Sequence, residues 1–376
     1  MGIEFRESGL VQSNAHSVPR EHHTSMSALI EALQTNAEAK GARIDFETHA
    51  DHLVQEPATK RIIGVQATGP DGQTLYYKAK KAVMLCNGGY ARNAAMLNEH
   101  NFGEGAEKYV ETCYDAPGID GSGILMGQEV GAATRHMSYL SMLTVQNPDG
   151  MPHDAAAMYH QGAIMVNLNG ERFVNEGNGY TNVWSQLDAQ PESVCYQVWD
   201  DDIAQACADN DSSYYSQAKC KCEATGLLLK GDTLEELAEA MGIPADTFVA
   251  TVEKYNDDVT ATGVDSVYQR AHMAGTGATP PAIDAAPFYA FKTANVMCCT
   301  YGGLKRYPGD GLQAVTVMGD VIPSLYLAGS ISGFCNQGCL PRTRIPINSS
   351  GTSLGGAMSF ARKCAQEIAK LDSWDA

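Results

Sequence analysis

The sequence predicts an α/β protein in which one domain is interrupted by another. Strand-like and helix-like segments alternate up to Gly131. From about Ser138 the pattern changes, because methionine, tyrosine and proline become frequent and loops dominate. After Pro287 the strand-like pattern returns, and it leads through Ile322–Gly329 and a Gly/Ser-rich turn into a last helix. The two outer segments are therefore expected to form one domain around an inserted second one.

The first segment is predicted to contain two helices and four strands. The helix patterns are Ser25–Lys40, which stops at Gly41, and Gly123–Val130. The strand patterns are Arg43–Thr48, Arg61–Ala67, Thr74–Ala79 and Ala82–Cys86. The second and third strands flank Gly69-Pro-Asp-Gly72, which is a strong turn signal. The fourth runs directly into Asn87-Gly88-Gly89.

The inserted segment is predicted to carry a hairpin and two helices. Gly162–Asn167 and Glu171–Asn175 alternate around a Leu-Asn-Gly turn, as the arms of a hairpin do. Asp232–Met241 is expected to be a helix with Asp232 or Thr233 as its N-cap. Pro244–Tyr255 is expected to be the second helix, and residues 256–286 are expected to be turns. The last helix of the chain is expected from about Thr352.

Composition limits the possible partners. A chain of 376 residues can hold two domains, and a formal charge of −18 argues against nucleic acid or an anionic membrane as a partner. No apolar run approaches the roughly 18 to 20 residues that span a bilayer, and the start lacks the apolar region of a signal peptide. The 11 cysteines show no zinc-site spacing, so we expect no metal. Reduced, mostly buried thiols favour a cytoplasmic location.

The closing strand, turn and helix are typical of a fold that binds a nucleotide cofactor. Such folds hold the pyrophosphate at a Gly-x-Gly-x-x-Gly turn after the first strand, and the sequence contains no such motif. Gly121-Ser-Gly123 followed by Gly127 comes nearest, but its spacing differs. The sequence therefore predicts an incomplete cofactor-binding domain without its N-terminal βαβ unit.

Several short motifs, taken in order, carry a family resemblance. They are Leu85-Cys-Asn-Gly-Gly89, Gly121-Ser-Gly-Ile124, Gly170-Glu-Arg-Phe-Val-Asn-Glu176, Pro287-Phe-Tyr-Ala290, Tyr301-Gly-Gly303 and Tyr326-Leu-Ala-Gly329. With them the chain resembles the FAD-dependent flavoproteins that include soluble fumarate reductases, succinate dehydrogenase flavoprotein subunits and 3-ketosteroid dehydrogenases. The resemblance implies that residues 1–136 and 296–376 form a Rossmann-like FAD-binding domain. Residues 137–295 would form an α+β cap domain over the substrate.

The resemblance also implies which residues serve the cofactor and the substrate. Those expected at FAD are Ala50, Gly88, Gly89, Gly121, Gly329, Ser330, Thr352, Ser353 and Leu354. Those expected in catalysis are Tyr180, Tyr301, Arg342 and Arg344. Tyr180 stands where fumarate reductases have the arginine that acts as the catalytic acid. A tyrosine at this position resembles the ketosteroid dehydrogenase branch, in which Tyr180 would relay a proton. The guanidinium of Arg342 or Arg344 has parallel N–H donors that can bind a carboxylate or a carbonyl. Each tyrosine can equally be a packing residue, and each arginine a solvated loop charge.

Three functional hypotheses follow from this resemblance. The first is a FAD-dependent oxidoreductase that acts by hydride transfer at flavin N5 on a small molecule with an activated C–C bond, an enone or an α,β-unsaturated acid. It requires that FAD still binds, and it allows an upstream-encoded N-terminal half or an electron-donor protein as a partner. The second is a truncated or split flavoprotein fragment without activity of its own. The third, less favoured, is a binding module that uses the cap cleft for a hydrophobic ligand.

Overall fold

The chain forms two units, and each is discontinuous in sequence. The computed structural model describes residues 3–5, 22, 24–146, 158–178, 180–209, 226–274, 277–307, 312–333 and 352–374. The first unit comprises Met1–Ala106, Asp115–Leu140 and Cys299–Ala376, and the second comprises Glu107–Tyr114 and Ser141–Cys298. The assignment of a FAD domain to 1–136 and 296–376, and of a cap domain to 137–295, stays a prediction.

The strands of the described residues are numbered in chain order. They are β1 His49–Gln55, β2 Ile62–Thr68, β3 Thr74–Lys78, β4 Val83–Leu85, β5 Thr134–Arg135, β6 Leu140–Gln146, β7 Ile164–Val166, β8 Val194–Asp200, β9 Leu228–Gly231, β10 Phe288–Thr300, β11 Gly303–Leu304, β12 Gln313–Val315 and β13 Val321–Leu327.

The α-helices are Met26–Ala39, Ala94–Leu97, Glu107–Glu111, Ser122–Glu129, Tyr180–Asp188, Asp201–Asp209, Leu234–Met241, Ala245–Thr262 and Thr352–Lys370. Among the described residues, no helix combines the length and the apolar character needed to cross a membrane.

The first unit is built on two three-stranded sheets. One is the antiparallel β1-β2-β3, in which the predicted Gly69–Gly72 turn joins β2 to β3. The other is β12-β13-β4, in which β13 and β4 run parallel. The helix Thr352–Lys370 covers this second sheet, where Cys364 joins a buried cluster with Leu312 and Tyr326. The α/β prediction is therefore confirmed at the level of a mixed helix and strand fold.

The second unit centres on a five-stranded sheet. Its order is β6-β10-β8-β7, with β9 also paired to β10. All seven residues of β8 are buried, so this strand forms the middle of the core. The helices Leu234–Met241 and Ala245–Thr262 add their apolar faces to that core.

Two predicted elements differ in the structure. Arg43–Thr48 is not a strand, because Glu47 adopts φ +51° in a turn and Thr48 Oγ1 donates to the Phe46 carbonyl, so the strand begins at His49. The helix predicted over Pro244–Tyr255 continues to Thr262. The segment after Tyr255 is polar, yet Val259 extends the buried series Phe248, Val252 and Tyr255 by one more turn, and Gly263 at φ +74° ends the helix.

The predicted hairpin around residue 168 is present in part. Ile164–Val166 forms β7, but its second arm contributes only one bridge, between Val166 and Arg172. The turn between them is held by Asn167, whose side-chain oxygen accepts from the N–H groups of Asn169 and Glu171.

The seven described cysteines are all free thiols. Cys113, Cys195, Cys207 and Cys364 are buried, whereas Cys86 is exposed. Burial raises the pKa of Cys195 well above its usual value and raises the pKa of both Cys207 and Cys364 to about 11. These buried thiols are therefore protonated at neutral pH.

Candidate functional site

The carboxyl ends of two parallel strands meet at one edge of the first unit. Leu325 pairs with Val83 and Leu327 with Leu85, so β13 and β4 end at the same level. The Ala328 N–H donates to the Leu85 carbonyl at 3.1 Å, which keeps the chains together as they leave the sheet. Ligands of open α/β sheets bind at such carboxyl ends.

Three glycine-containing turns converge at this edge. They are Asn87–Gly89 after β4, Gly329–Gly333 after β13, and the turn at Gly121 that opens the helix Ser122–Glu129. The Gly121 N–H donates to the Gly89 carbonyl at 3.1 Å. A Cβ built on Gly123 would lie 2.7 Å from the Asn87 side chain and 2.6 Å from Ile331, so all three turns pack against one another. We call this region the glycine edge.

The glycines of this edge serve two different purposes. A Cβ on Gly88 would lie 2.6 Å from Ile119, one on Gly89 would collide with Thr300 Oγ1, and one on Gly121 would collide with Met96. These three glycines are therefore required for packing within the protein. Gly329 differs, because among the described residues the nearest atom to a built Cβ, in Ala357, is 4.0 Å away.

A carboxylate occupies the helix start at this edge. Asp120 Oδ1 accepts from the Ser122 N–H at 2.9 Å, and Asp120 Oδ2 lies 3.9 Å from His49 Nε2, next to the predicted Ala50. Burial would raise the pKa of Asp120, but the hydrogen bonds from Ser122 outweigh it and lower the pKa. Because this anion caps the helix, its N-terminus is unsuited to a phosphate.

The structure places only some of the other predicted residues. Tyr301 is half-buried in the first unit, and its N–H donates to the Tyr139 carbonyl at 2.9 Å. Leu354 is 40% exposed in the first turn of the helix that Thr352 and Ser353 begin. The side chains of Tyr180, Thr352 and Ser353 lie outside what the structure describes, although Tyr180 is the first residue of the helix Tyr180–Asp188. Arg342 and Arg344 lie outside the described residues.

Sequence reasoning missed a buried ionic network in the second unit. Glu176 is fully buried, and its carboxylate accepts from Arg172 Nε at 3.0 Å, Arg172 Nη2 at 2.7 Å and the Met165 N–H at 2.9 Å. Arg172 Nη1 lies 2.9 Å from Asp265, and Arg270 Nη1 lies 3.6 Å from Glu176. Arg172 and Glu176 belong to the quoted motif Gly170–Glu176, which was the only sequence signal for this network.

The network remains charged inside the protein. Burial would raise the pKa of Glu176, but Arg172 and Arg270 outweigh that effect and hold the pKa below its ordinary value. Burial alone would lower the pKa of Arg172, and Glu176 with Asp265 raises it instead. Arg270 also donates to the carbonyls of Ala163 and Tyr159, so the network joins the 158–166, 172–176 and 265–270 segments.

Two buried residues adjoin this network. Tyr159 is fully buried, and its N–H donates to Gln197 Oε1 at 3.1 Å. Burial, and then the neighbouring Arg270, lowers the pKa of His160 to about 4, so the imidazole is neutral at pH 7.

A cavity of about 330 Å³ also lies beside the network, and Lys254, Tyr255 and Tyr268 help to line it. Each of these three has a protein partner already: Lys254 contacts Asp258, Tyr255 donates to the Pro281 carbonyl and Tyr268 donates to the Arg172 carbonyl. These three polar side chains of the cavity are therefore already bound within the protein.

Comparison with known proteins defines the family. Residues 3–337 match the family described as FAD binding domain. The chain belongs to this FAD-binding family. The resemblance inferred from the short motifs is confirmed, and FAD is the cofactor that the family match supports.

Similar proteins include enzymes with three different substrates. The chain is 28% identical to the NADH:acrylate oxidoreductase of Vibrio harveyi, over 90% of this chain and 32% of that protein. It is 26% identical to the 3-oxosteroid 1-dehydrogenase of Mycolicibacterium smegmatis, over 91% and 62% respectively. The open conformation of a flavocytochrome c3 fumarate reductase has the same fold, with a TM-score of 0.71 at 22% identity, over 98% of this chain and 60% of that one. The chain thus spans less than two thirds of each.

The glycine edge fits the flavin end of FAD better than its pyrophosphate. The open space at Gly329, at the ends of parallel strands, allows a flat ring to approach the backbone closely. The helix start beside it carries Asp120, and the sequence has no Gly-x-Gly-x-x-Gly turn for the phosphates. The chain's own residues therefore fit the ring portion of the cofactor.

Proposed function

We propose that this chain forms part of a FAD-dependent oxidoreductase that adds or removes hydrogen across an activated C–C bond. The observation that carries the proposal is the glycine edge within a chain that matches a FAD-binding family over residues 3–337. Acrylate and fumarate, named in its relatives, are α,β-unsaturated acids, and a 3-oxosteroid supplies a carbonyl beside the reacting bond. The substrate class proposed is an enone or an α,β-unsaturated acid.

The residues at the glycine edge would hold the flavin. Gly329 leaves room for the ring, and Ser330 follows it in the same turn. Thr352, Ser353 and Leu354 begin the helix whose Ala357 lies 4.0 Å from a Cβ built on Gly329. When bound, the flavin supplies a hydride acceptor or donor at N5. The first backbone N–H groups of the helix Thr352–Lys370 have no partner within the helix itself, and such groups suit carbonyl oxygens of a ligand.

The protein must also move a proton and hold the substrate's oxygen. Tyr180 would donate or accept the proton, because a phenol can do so toward the carbon next to a carbonyl. Tyr301 would line the pocket over the flavin, and Arg342 or Arg344 would hold a carbonyl or carboxylate.

The absorbance spectrum of the purified chain tests cofactor binding directly. Near-stoichiometric FAD, released and quantified after reconstitution, is the expected result. A chain that binds no flavin, alone or with FAD added, would be the fragment without activity of its own. Ligand binding to that flavin-free chain would instead favour the binding module.

Turnover of enones and unsaturated acids then tests the proton relay. Tyr180→Phe should lower kcat by roughly 100-fold or more while flavin content is unchanged, because general acid–base catalysis contributes on that order. Tyr76→Phe is the matched control, since Tyr76 is 71% exposed. Equal activity in the two variants would remove Tyr180 from the mechanism.

A further inference from the structure

The cavity beside the ionic network of the second unit has no role in the proposed mechanism. Its volume is about 330 Å³, which is comparable to that of small-molecule sites in proteins. One wall is the helix Ala245–Thr262, and the opposite wall is the segment 265–268. All of the lining residues belong to the second unit.

The helix wall is a regular stripe of side chains. Thr247, Ala250, Thr251 and Lys254 line the cavity, and their spacings of three and four residues place them on one face of the helix. Neither threonine hydroxyl has a hydrogen-bond partner among the described residues. Both hydroxyl groups are therefore available to a ligand, next to the apolar methyl group of Ala250.

The opposite wall and the floor are fixed by contacts within the protein. The Asp265 carboxylate accepts from the N–H groups of Val267 at 3.1 Å and Tyr268 at 2.8 Å, and Arg172 Nη1 lies 2.9 Å from it. Tyr268 Oη donates to the Arg172 carbonyl at 2.7 Å, and the Arg172 guanidinium lies 4.8 Å from the centre of the Tyr255 ring. None of these contacts depends on a ligand, so the cavity is preformed.

Most charged groups that line the cavity are neutralised within the protein. Arg172 contacts Glu176 at 2.7 Å and Asp265 at 2.9 Å, so its positive charge is matched. Lys254 Nζ donates to both carboxylate oxygens of Asp258 at 2.6 Å. These groups therefore offer little net charge to a molecule in the cavity.

Glu171 is the exception among the charged lining residues. It is exposed, and no side chain in the described part of the chain pairs with its carboxylate. Its charge nevertheless acts on the cavity wall: burial raises the pKa of Tyr268, Arg172 opposes the rise, and Glu171 then adds to it. The cavity thus carries an unmatched negative charge beside apolar surface, of which the 58% exposed Val267 forms part.

We propose that this cavity binds a small organic ammonium ion. Its positive charge would pair with Glu171, and the hydroxyl oxygens of Thr247 and Thr251 would accept its remaining N–H donors. Its apolar part would contact Ala250 and Val267. Such a ligand would touch both walls of the cavity, so binding would stabilise the second unit against unfolding. The proposal requires no flavin, and its outcome is independent of the proposed reaction.

Calorimetric titration of the full chain with phenethylammonium tests the charge preference. The cation should bind roughly 5-fold more tightly than neutral 2-phenylethanol, as expected for an ion pair with an exposed carboxylate. Glu171→Gln keeps the shape of the side chain, and it should weaken phenethylammonium binding by the same factor. Glu253→Gln is the matched control and should bind like the wild type, because Glu253 is exposed on the same helix and lies outside the cavity lining.

A second variant tests the location of the site. Ala250→Leu adds bulk inside the cavity and retains a good helix former at an exposed position, so the protein should fold and lose phenethylammonium binding. In urea unfolding, phenethylammonium should raise the midpoint of the wild type and leave that of Ala250→Leu unchanged. The proposal would be refuted if the wild type bound no phenethylammonium, or if either Glu171→Gln or Ala250→Leu bound it as the wild type does.

Discussion

Replacing Glu176 by glutamine should destabilise the second unit strongly. The substitution keeps the shape of the side chain, and its oxygen can still accept from the Met165 N–H at 2.9 Å and from Arg172 Nε at 3.0 Å. The amide nitrogen of the glutamine would take the place of Glu176 Oε2, which accepts from Arg172 Nη2 at 2.7 Å. Two donors would then face each other. Arg172 and Arg270 would then share Asp265 as the one anion of the network.

The cost follows from burial. Both side chains of the Arg172–Glu176 pair are nearly inaccessible, at 4% and 0% exposure, so solvent cannot replace the lost anion. Removing one partner of a buried ion pair costs about 3–5 kcal/mol, because it leaves an uncompensated buried charge. Glu176→Gln should therefore reduce the free energy of unfolding of the second unit by about that amount.

Urea unfolding followed by tryptophan fluorescence measures this change. The chain has three tryptophans, and a Trp374→Phe background leaves Trp184 and Trp199, both in the second unit. Trp199 is 3% exposed, so its emission should shift clearly on unfolding. Glu253→Gln is the matched control, because Glu253 is exposed on the helix Ala245–Thr262. If the two variants unfold at the same urea concentration, the network does not stabilise the unit.

Three further substitutions test other features. The pKa of His160 is about 4 in the folded protein, against an ordinary 6.5. The contribution of His160 to the free energy of unfolding should therefore be complete above pH 6.5 and should fall by up to roughly 3 kcal/mol as the pH is lowered to 4. His160→Gln should remove this part of the pH dependence of urea unfolding. Gly89→Ala should cost about 1–3 kcal/mol and lower the flavin content, because the methyl group collides with Thr300, whereas Gly118→Ala meets no atom within 4 Å. Thr233→Ala should cost about 1 kcal/mol in thermal or urea unfolding, because Thr233 Oγ1 caps the Glu236 N–H at 3.2 Å; an unchanged midpoint would exclude this cap.

Local signals predicted many of the elements. The first helix ends before Gly41, and Thr233 caps a later helix, as the sequence indicated. These predictions succeeded because capping and turns depend on neighbouring residues. The polar end of the Ala245–Thr262 helix was missed because its stability depends on Val259, which packs against a distant core. Tertiary contacts decide such boundaries.

The candidate site was predictable only in part. Glycines 88, 89, 121 and 329 were singled out from their motifs, and the structure brings them to one edge. Which of them leaves open space could not be foreseen, because that depends on Ile119, Thr300 and Met96, all distant in sequence. Asp265 gave no local signal, since its importance comes from its ion pair with Arg172, which only the fold supplies. The roles of Tyr180, Tyr301 and the two late arginines stay predictions.

The buried thiols give each unit its own reporter of opening. Alkylating reagents react with an accessible thiolate. Burial keeps reagents away from Cys195, Cys207 and Cys364 and, by raising their pKa, keeps these thiols protonated. Cys195 and Cys207 belong to the second unit, and Cys364 belongs to the first. Pulse labelling with mass spectrometry would therefore record, from one sample of unmodified protein, which unit opens first and how often.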